Sequence, residues 1–307
     1  MKKLLVTGAS GFLGWNLCQQ ACAKPYGTTL ASRRLGQAKR EVYGTYFSHK
    51  IAIPGTTLYK VDLTNFAELE SLFKQVQPDA VIHTAAASKP NFCQTNRDAA
   101  YAINVDAAVN IARLCSERNI PCAFTSTDLV FDGKNPFYKE SDPVCPINYY
   151  GEQKAIAEQK MSEIYPKVAL CRMPLMFGVA SPVASSFLQG MISNLKAGKE
   201  VNLFTDEYRT PASGKAASQG LLLAVEKQVE GILHLGGKER ISRYDFGLLV
   251  ADVLDLPSET IKPGLQADVV MVAPRSPDTS LDSSKAFALG YQPLPLREEL
   301  TAIRDRL

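Results

Sequence analysis

Two side chains that together can move a proton, Tyr150 and Lys154, lie four residues apart in the segment YGEQK. On a helix, residues i and i+4 share a face, so the ammonium group can lie beside the phenol. A free tyrosine has a pKa of about 10, and a neighbouring cation lowers that pKa towards neutrality, where the phenol is a useful acid or base. We predict that this pair is catalytic; the alternative is a helical pair on a solvated face.

The segment YFSHK, from Tyr46 to Lys50, has the same spacing. Its residues predict a strand, on which four residues span roughly 13 Å, so the two groups would not meet. We therefore do not expect this second pair to be catalytic.

Thr127 ends a strand predicted over 121–127, and ligands bind at the carboxyl ends of parallel strands. Its hydroxyl group could hold a substrate carbonyl near Tyr150, so we predict that Thr127 is both a catalytic residue and a substrate contact. Asp128, the next residue, is a further candidate substrate contact. The alternative for Ser126 and Thr127 is simple turn and cap chemistry.

Three glycines spaced three residues apart follow a short apolar strand and precede a helix. The first permits a tight turn, the second lets backbone N–H groups approach a pyrophosphate, and the third lets the helix pack close to the strand. The helix N-terminus adds partial positive charge for the phosphates. An ordinary tight turn is the alternative, but the strand–turn–helix context favours a dinucleotide site. Its predicted contacts are Gly8, Ser10, Gly11, Phe12, Leu13 and Gly14.

The residues at the end of the strand that follows the glycine turn and its helix determine whether a site of this kind binds NAD or NADP. A carboxylate there binds the ribose 2′-hydroxyl, whereas basic or small polar residues admit a 2′-phosphate. Two segments compete for that strand, 28–34 and 41–48, and β-propensity favours the second. Neither ends in Asp or Glu. We therefore expect NADP(H), with Ser48, His49 and Lys50 near the 2′-phosphate.

Asp62 and its neighbour Leu63 follow the segment LYKV, at a place where a side chain could reach the adenine. We predict that both contact the cofactor. The alternative for Asp62 is a cap on the helical segment that begins at Thr64.

Strand and helix patterns alternate along most of the chain. The predicted strands are 2–7, 79–86, 121–127, 167–172 and 230–235, and the predicted helices are 12–23, 66–76, 101–116, 149–164, 184–197, 214–226, 243–254 and 282–290. Strand, helix, strand at this spacing requires crossover connections and a parallel sheet covered on both faces. The fold class expected is therefore α/β, a doubly wound Rossmann sheet.

After Arg172, prolines punctuate shorter elements, which predicts a second, smaller α/β lobe for the substrate. We expect residues 1–171 plus about 213–235 to form the NADP-binding domain. Residues of about 172–212 plus 236–307 would then form the substrate-binding lobe.

The composition excludes several classes of protein. The charge balance of 34 basic against 31 acidic residues gives no electrostatic reason to expect a nucleic-acid partner. The apolar runs are too short to span a bilayer, so we expect no membrane association. The seven cysteines are scattered and form no CxxC motif, which argues against a disulfide framework or a zinc site and favours a cytoplasmic protein. The three histidines are also scattered, so we expect no metal site.

Several motifs together resemble the extended short-chain dehydrogenase/reductases, above all the dTDP-4-dehydrorhamnose reductases and the related β regulatory subunit of methionine adenosyltransferase. They are TGASGFLG, INVDAAVNIA, FTSTDLVFDG, NYYGEQKAIAE, CRMPLMFG and APRSPDTSLDSSKAFALG. The resemblance implies that Tyr150 donates a proton, that Lys154 holds the nicotinamide ribose and tunes Tyr150, and that Thr127 hydrogen-bonds the ketone. It also implies cofactor contacts at Ala85, Ala86, Ala87, Asn104 and Pro174.

The same resemblance implies that Arg209 could meet the substrate, although a salt bridge joining the domains is an equal alternative. Two positions depart from the family: Leu175 replaces an aromatic residue, and Asn16 replaces a glutamate that binds an intersubunit metal in many members. We accordingly expect no metal-bridged dimer and a monomer or simple homodimer.

The residues predict an NADPH-dependent reductase, and the resemblance implies that its substrate is a keto-sugar, in particular a nucleotide-diphospho-4-keto-6-deoxysugar. A non-catalytic NADP-binding regulatory subunit is the first alternative. A nucleotide-sugar epimerase or dehydratase is the second, although Leu129 stands where related dehydratases carry the second carboxylate of an acid pair.

Overall fold

The protein is described here by a computed structural model that covers residues 1–23, 40–184 and 186–307. Its centre is a seven-stranded sheet in which all neighbours are parallel. The strands of this sheet are β1 (Lys3–Thr7), β2 (Glu41–Tyr46), β3 (Thr56–Lys60), β4 (Ala80–His83), β5 (Cys122–Thr127), β6 (Ala169–Met173) and β11 (Gly231–His234).

Helices alternate with these strands and continue into the later part of the chain. They are α1 (Phe12–Ala23), α2 (Phe66–Val76), α3 (Pro90–Thr95), α4 (Arg97–Tyr101), α5 (Ala107–Arg118), α6 (Tyr149–Ile164), α7 (Phe187–Lys196), α8 (Gly214–Glu226), α9 (Arg243–Val253), α10 (Ser284–Leu289) and α11 (Leu296–Thr301). A π-helical turn, Ala102–Asp106, joins α4 to α5.

The strand order is β11-β6-β5-β4-β1-β2-β3. From β1 the chain adds β2 and β3 on one side and then crosses over to add β4, β5, β6 and β11 on the other side, so the topological switch point lies between β1 and β4. This order confirms the doubly wound α/β fold. The structure also places β2 at 41–46, within the segment that β-propensity favoured. The competing segment 28–34 lies outside the described residues. The strand β3 was missed by sequence analysis.

The sheet is buried on both faces. In β1, Leu4 and Val6 pack in a cluster with α1 and α8, whereas Leu5 packs in a second cluster with α2, α5 and α6. Alternate residues of one strand therefore enter two different cores, as the period of two in a strand requires.

A third apolar cluster belongs to the later part of the chain, around α7, α9 and α11. It is completed by two short parallel strands, β8 (Val201–Phe204) and β13 (Ile261–Gly264), which sequence analysis missed. The remaining strands are two-residue pairs: β7 (Met176–Phe177) with β10 (Ala212–Ser213), and β9 (Tyr208–Arg209) with β12 (Ile241–Ser242). The division into two domains stays a prediction. The helix α10 nevertheless packs Ala286 against the core of the central sheet, although our division placed it in the substrate lobe.

Two hydrogen bonds tie the segment after β7 to the first helix and its turn. The Asn16 amide donates to the carbonyl of Val179 at 3.0 Å, and the Ser181 hydroxyl donates to the carbonyl of Ser10 at 2.8 Å. Asn16 therefore has an internal structural role.

Across the described ranges, no helix has the length and apolar character needed to cross a membrane. Within the same ranges, no group of three or more His, Cys, Asp or Glu side chains is arranged to hold a metal ion.

His83, at the end of β4, is fully buried, stacked on Phe124 and joined to the Thr7 hydroxyl by a 2.6 Å hydrogen bond. Burial, together with the charge of Lys154, lowers the pKa of His83 from 6.5 to about 3. As the pH falls below about 6.5, the unfolded chain therefore binds a proton that the folded chain does not, so stability is lost.

We expect the free energy of unfolding to fall between pH 6.5 and 4, with His83 contributing up to about 1.4 kcal/mol for each pH unit. The substitution His83→Gln should make this fall shallower, because glutamine does not titrate. Urea unfolding at a series of pH values measures it, and the exposed His49→Gln is the control. Equal slopes for His83→Gln and the control would contradict the prediction.

Candidate active site

A cleft of about 1080 Å³ opens at the carboxyl edge of the central sheet. Most of the predicted site residues line it: Gly8, Ser10, Gly11, Phe12, Leu13, Gly14, Ser48, Asp62, Leu63, Ala85, Ala86, Thr127, Asp128, Tyr150, Pro174 and Arg209. Five others are not part of its lining: His49, Lys50, Ala87, Asn104 and Lys154.

The glycine turn forms one end of the cleft, and close backbone contacts explain two of its glycines. Gly8 has a φ of +70°, and a Cβ atom there would lie 2.7 Å from the Cα atom of Ala85. A Cβ atom on Gly14 would overlap the carbonyl group of Gly8 and lie 2.8 Å from the Thr84 hydroxyl oxygen. The first turn of α1 can therefore pack against the end of β1 only without side chains at these positions.

The helix α1 begins at Phe12, directly after this turn, and its first turn contains no acidic residue. The partial positive charge of the helix N-terminus is therefore not offset locally. A glycine cradle followed by such a helix start fits the diphosphate of a dinucleotide.

Asn148 and Gly151 fix the start of α6, which carries Tyr150. The Asn148 side chain accepts a hydrogen bond from the Gly151 N–H at 2.9 Å and donates one to the Pro274 carbonyl at 3.1 Å. A Cβ atom on Gly151 would overlap the Leu129 carbonyl, so only glycine lets α6 approach the turn after β5. Sequence analysis named neither residue as part of the site.

Tyr150 is buried in a small cluster with Cys93 and Ala100, while still lining the cleft. Burial is the main cause that raises the pKa of Tyr150 above its usual value; Cys93 and Asp128 raise it further, and a hydrogen bond with Thr127 opposes them. This differs from the sequence-based expectation of a lowered pKa, because desolvation of the phenolate dominates. Tyr150 is therefore a neutral phenol at neutral pH.

Lys154 is 1% exposed, and its Nζ atom lies 3.9 Å from the centroid of the Phe124 ring. Burial lowers the pKa of Lys154 to about 7, while Glu158 and Cys93 act in the opposite direction. The Lys154 ammonium group thus lies behind the cleft wall, and it loses its proton as the pH rises through neutrality.

Thr127 and Asp128 lie where β5 ends. The Thr127 hydroxyl donates to Asp128 Oδ1 at 3.1 Å and accepts from the Leu129 N–H at 3.2 Å. Asp128 Oδ2 accepts from the Thr279 hydroxyl at 2.7 Å and lies 3.4 Å from Arg209 Nε. Burial raises the pKa of Asp128, and the charge of Arg209 opposes that shift.

Arg209 is buried, and its guanidinium group also donates to the Ser276 carbonyl at 3.0 Å and lies 3.4 Å from Glu207. These contacts join the turn after β5 to β9 and to the segment around Ser276. The salt bridge between the two parts of the chain is therefore present, and Arg209 lines the cleft as well.

Two further arginines at the cleft were missed by sequence analysis. Arg243 and Arg275 approach Glu207 at 3.9 Å and 3.6 Å. Arg243 lies 4.0 Å over the Phe187 ring, and its buried Nη1 atom has no hydrogen-bond partner in the structure. Burial lowers the pKa of Arg243 to about 10. Arg243 belongs to no motif, whereas Arg275 lies in the motif APRSPDTSLDSSKAFALG, and only the folded structure brings the two together at Glu207.

The residues after β2, of which Ser48 lines the cleft, are exposed. The Ser48 hydroxyl and His49 Nδ1 are joined by a 2.8 Å hydrogen bond. Asp62 lines the cleft and accepts hydrogen bonds from the Thr64 backbone at 2.9 Å and hydroxyl at 2.7 Å. The N-cap of α2 is Asn65, so Asp62 stabilises the turn before the helix and is not its cap.

Asn104 lies behind the cleft, in the π-helical turn. Its amide accepts from the Ala87 N–H at 2.9 Å and donates to Gln153 Oε1 at 2.9 Å. It therefore connects the chain after β4 with α6. Direct cofactor contacts by Asn104 and Ala87 stay predictions.

Comparison with known proteins places this fold and site in a family. The family described as the RmlD substrate binding domain matches residues 1–307. The chain belongs to this family. The resemblance drawn from the sequence motifs is thereby confirmed.

Relatives and solved structures agree with the family. The probable low-salt glycan biosynthesis reductase Agl14 of Haloferax volcanii is 29% identical over 302 residues, covering 97% of this chain and 96% of the relative. Methionine adenosyltransferase 2 subunit beta of Mus musculus is 27% identical, covering 100% of this chain and 87% of the relative. A hypothetical dTDP-4-dehydrorhamnose reductase of Sulfolobus tokodaii is 33% identical with a TM-score of 0.78, covering 96% and 98% of the two chains.

The contact between Gly14 and Gly8 should be sensitive to a single methyl group. The substitution Gly14→Ala should lower the free energy of unfolding by about 1 to 3 kcal/mol, because the added carbon overlaps backbone that must shift. Gly190→Ala in α7 is the control, since a Cβ atom there meets nothing within 4 Å and alanine favours helix. Urea unfolding compares them; a Gly14→Ala protein as stable as Gly190→Ala would refute the close contact.

Proposed function

We propose that the chain is an NADPH-dependent reductase of a keto-sugar, in particular a nucleotide-diphospho-4-keto-6-deoxysugar. The observation that carries the proposal is that Thr127 and Tyr150 line the same cleft as the glycine turn, with Lys154 buried one helical turn after Tyr150. Membership of the RmlD family and the reductase name of the Haloferax volcanii relative support it.

NADP(H) is the proposed cofactor. A Bacillus anthracis dTDP-4-dehydrorhamnose reductase in complex with NADP, 21% identical with a TM-score of 0.82, shares the fold. In this chain the segment after β2 carries Ser48, His49 and Lys50 and no carboxylate. This composition favours a 2′-phosphate.

When bound, NADPH would supply a hydride to the carbonyl carbon of the substrate. Tyr150, which burial keeps as a neutral phenol, donates its proton to the carbonyl oxygen as negative charge develops there. The charged Lys154 stabilises the resulting phenolate from behind the cleft wall, and its proposed contact with the nicotinamide ribose requires the ammonium group to reach the cleft. The Thr127 hydroxyl, which donates to Asp128 in the structure, rotates to donate to the carbonyl oxygen.

The arginines at the other side of the cleft support a substrate that carries negative charge. Arg243 and Arg275 share one carboxylate, Glu207, while Arg209 is also paired with Asp128. This leaves net positive charge in a partly desolvated wall, which suits a phosphate or diphosphate group.

A non-catalytic regulatory subunit is the second candidate, and the similarity to methionine adenosyltransferase 2 subunit beta favours it. Oxidation of NADPH, followed by its absorbance, against a panel of nucleotide-linked 4-keto-sugars separates the two. Turnover of one member supports the reductase. Tight NADPH binding without turnover of any member refutes the reductase and leaves the regulatory subunit. An epimerase or dehydratase is disfavoured by the apolar Leu129 after Asp128.

We expect tighter binding of NADPH than of NADH. The double substitution Ser48→Ala and His49→Ala should weaken NADPH by about tenfold or more and leave NADH unchanged, because hydrogen bonds to a charged group contribute about 1.5 to 3 kcal/mol. Isothermal titration with both cofactors measures this. Lys74→Ala, an exposed residue of α2, is the control. Equal or tighter NADH binding by the unmodified protein would rule the preference out.

Tyr150→Phe should reduce kcat by about 10² to 10⁴-fold and leave NADPH binding almost unchanged, because the proton is needed only in the transition state. Tyr149→Phe is the matched control: its hydroxyl accepts a hydrogen bond from Arg97 at 2.7 Å and does not line the cleft. Lys154→Ala should both slow turnover and weaken NADPH. Near-normal kcat in Tyr150→Phe would show that Tyr150 is not the proton donor.

A further inference from the structure

A buried carboxylate, Glu158, follows Lys154 by one turn of α6. Lys154 is 1% exposed and Glu158 is 5% exposed, and their spacing puts both side chains on the same buried face of the helix. An ammonium group so far from water needs nearby negative charge to stay protonated.

Arg172 on β6 holds Glu158 in one orientation. Its Nε atom donates to Glu158 Oε1 at 3.0 Å, and its Nη2 atom donates to Oε2 at 2.7 Å. The guanidinium group lies 5.0 Å from the centroid of the Phe131 ring, and its Nη1 atom is 3.4 Å from His234 Nε2. Two-point binding by a packed arginine leaves the carboxylate little freedom to move away from Lys154.

Three other titratable groups near Lys154, His83, Cys93 and Tyr150, are uncharged at neutral pH. Burial keeps His83 on β4 as a neutral imidazole, and burial raises the pKa values of Cys93 on α3 and of Tyr150 on α6. Asp128, after β5, interacts with Tyr150 and is paired with Arg209. The negative charge of Glu158 favours the ammonium form of Lys154 and opposes the effect of burial.

We propose that Glu158 is a positioning residue: its carboxylate, held by Arg172, supplies the charge that keeps the buried Lys154 protonated beside Tyr150. The catalytic consequence rests on the proposed function, whereas the coupling between the two side chains depends on the fold alone. Glu158 also fastens α6, which carries Tyr150, to β6, whose end leads to Pro174 in the cleft wall.

The pH profile tests this proposal. Activity requires the charged lysine, so it falls as the pH rises through the pKa of Lys154. Glu158→Gln removes the charge, lowers that pKa, and should move the alkaline limb of kcat/KM to lower pH by about one pH unit. Glu152→Gln is the matched control, because Glu152 lies on the same helix but is exposed, where solvent screens its charge. An unchanged alkaline limb in Glu158→Gln would overturn the proposal, even if kcat fell.

Glu158→Gln leaves Arg172 buried without its partner, which threatens folding. The double variant Glu158→Gln with Arg172→Met removes both charges and provides a second measurement. It should show the same direction of shift, because Glu158 is the group that favours the charged lysine. A double variant with the original alkaline limb would show that the ion pair is only a structural anchor.

A measurement that needs neither cofactor nor substrate tests the coupling between Glu158 and Lys154 independently of the proposed function. NMR of protein labelled with ¹³C at the lysine ε-carbon follows the titration of Lys154 directly, with Lys154→Ala identifying its signal. The midpoint should be lower in Glu158→Gln than in the unmodified protein and unchanged in Glu152→Gln. Equal midpoints in all three proteins refute the coupling. Absence of any reductase activity refutes only the proposed function and leaves this titration decisive.

Discussion

The parallel alignment of the strands in the central sheet is the constraint on which the rest of the molecule depends. Parallel neighbours cannot be joined by tight turns, so each connection crosses a face of the sheet, and both faces become buried. The alignment also brings the carboxyl ends of all seven strands of the sheet to one edge. Residues as distant in the sequence as Gly8 and Pro174 therefore line one cleft. The position of the site is a consequence of this edge of the sheet, and the side chains that line the cleft determine its chemistry.

Local sequence patterns predicted the helices and strands that do not depend on partners distant in the sequence. The helices Phe12–Ala23 and Tyr149–Ile164 begin and end where the sequence analysis placed them. The strand Thr56–Lys60 was missed because it lies at the edge of the sheet with its side chains exposed or half-buried, so it lacks an apolar run. The short strand Val201–Phe204 was missed for a different reason, since its partner Ile261–Gly264 is distant in sequence.

The site was predictable where residue type and spacing determine the geometry, as at Gly8 and Gly14. It was not predictable where tertiary environment decides. The spacing of Tyr150 and Lys154 suggested that the cation lowers the pKa of the phenol, but burial reverses the direction. Arg243 belongs to no motif, and only the fold brings it to Glu207. The role of Arg209 likewise depends on its partners, because only the structure reveals its pairing with Asp128.

The last strand of the central sheet and the helix that packs against it impose an order of assembly on the chain. Gly231–His234 forms the outer edge of the central sheet, and Ser284–Leu289 packs against it. During synthesis, the ribosome must therefore add the residues up to Ser284–Leu289 before this core can close. The contact of Ser181 with Ser10 likewise joins residues that are far apart in the sequence. Contacts over such separations slow folding, so the apolar surface of the sheet stays exposed on the nascent chain until these late partners have been added.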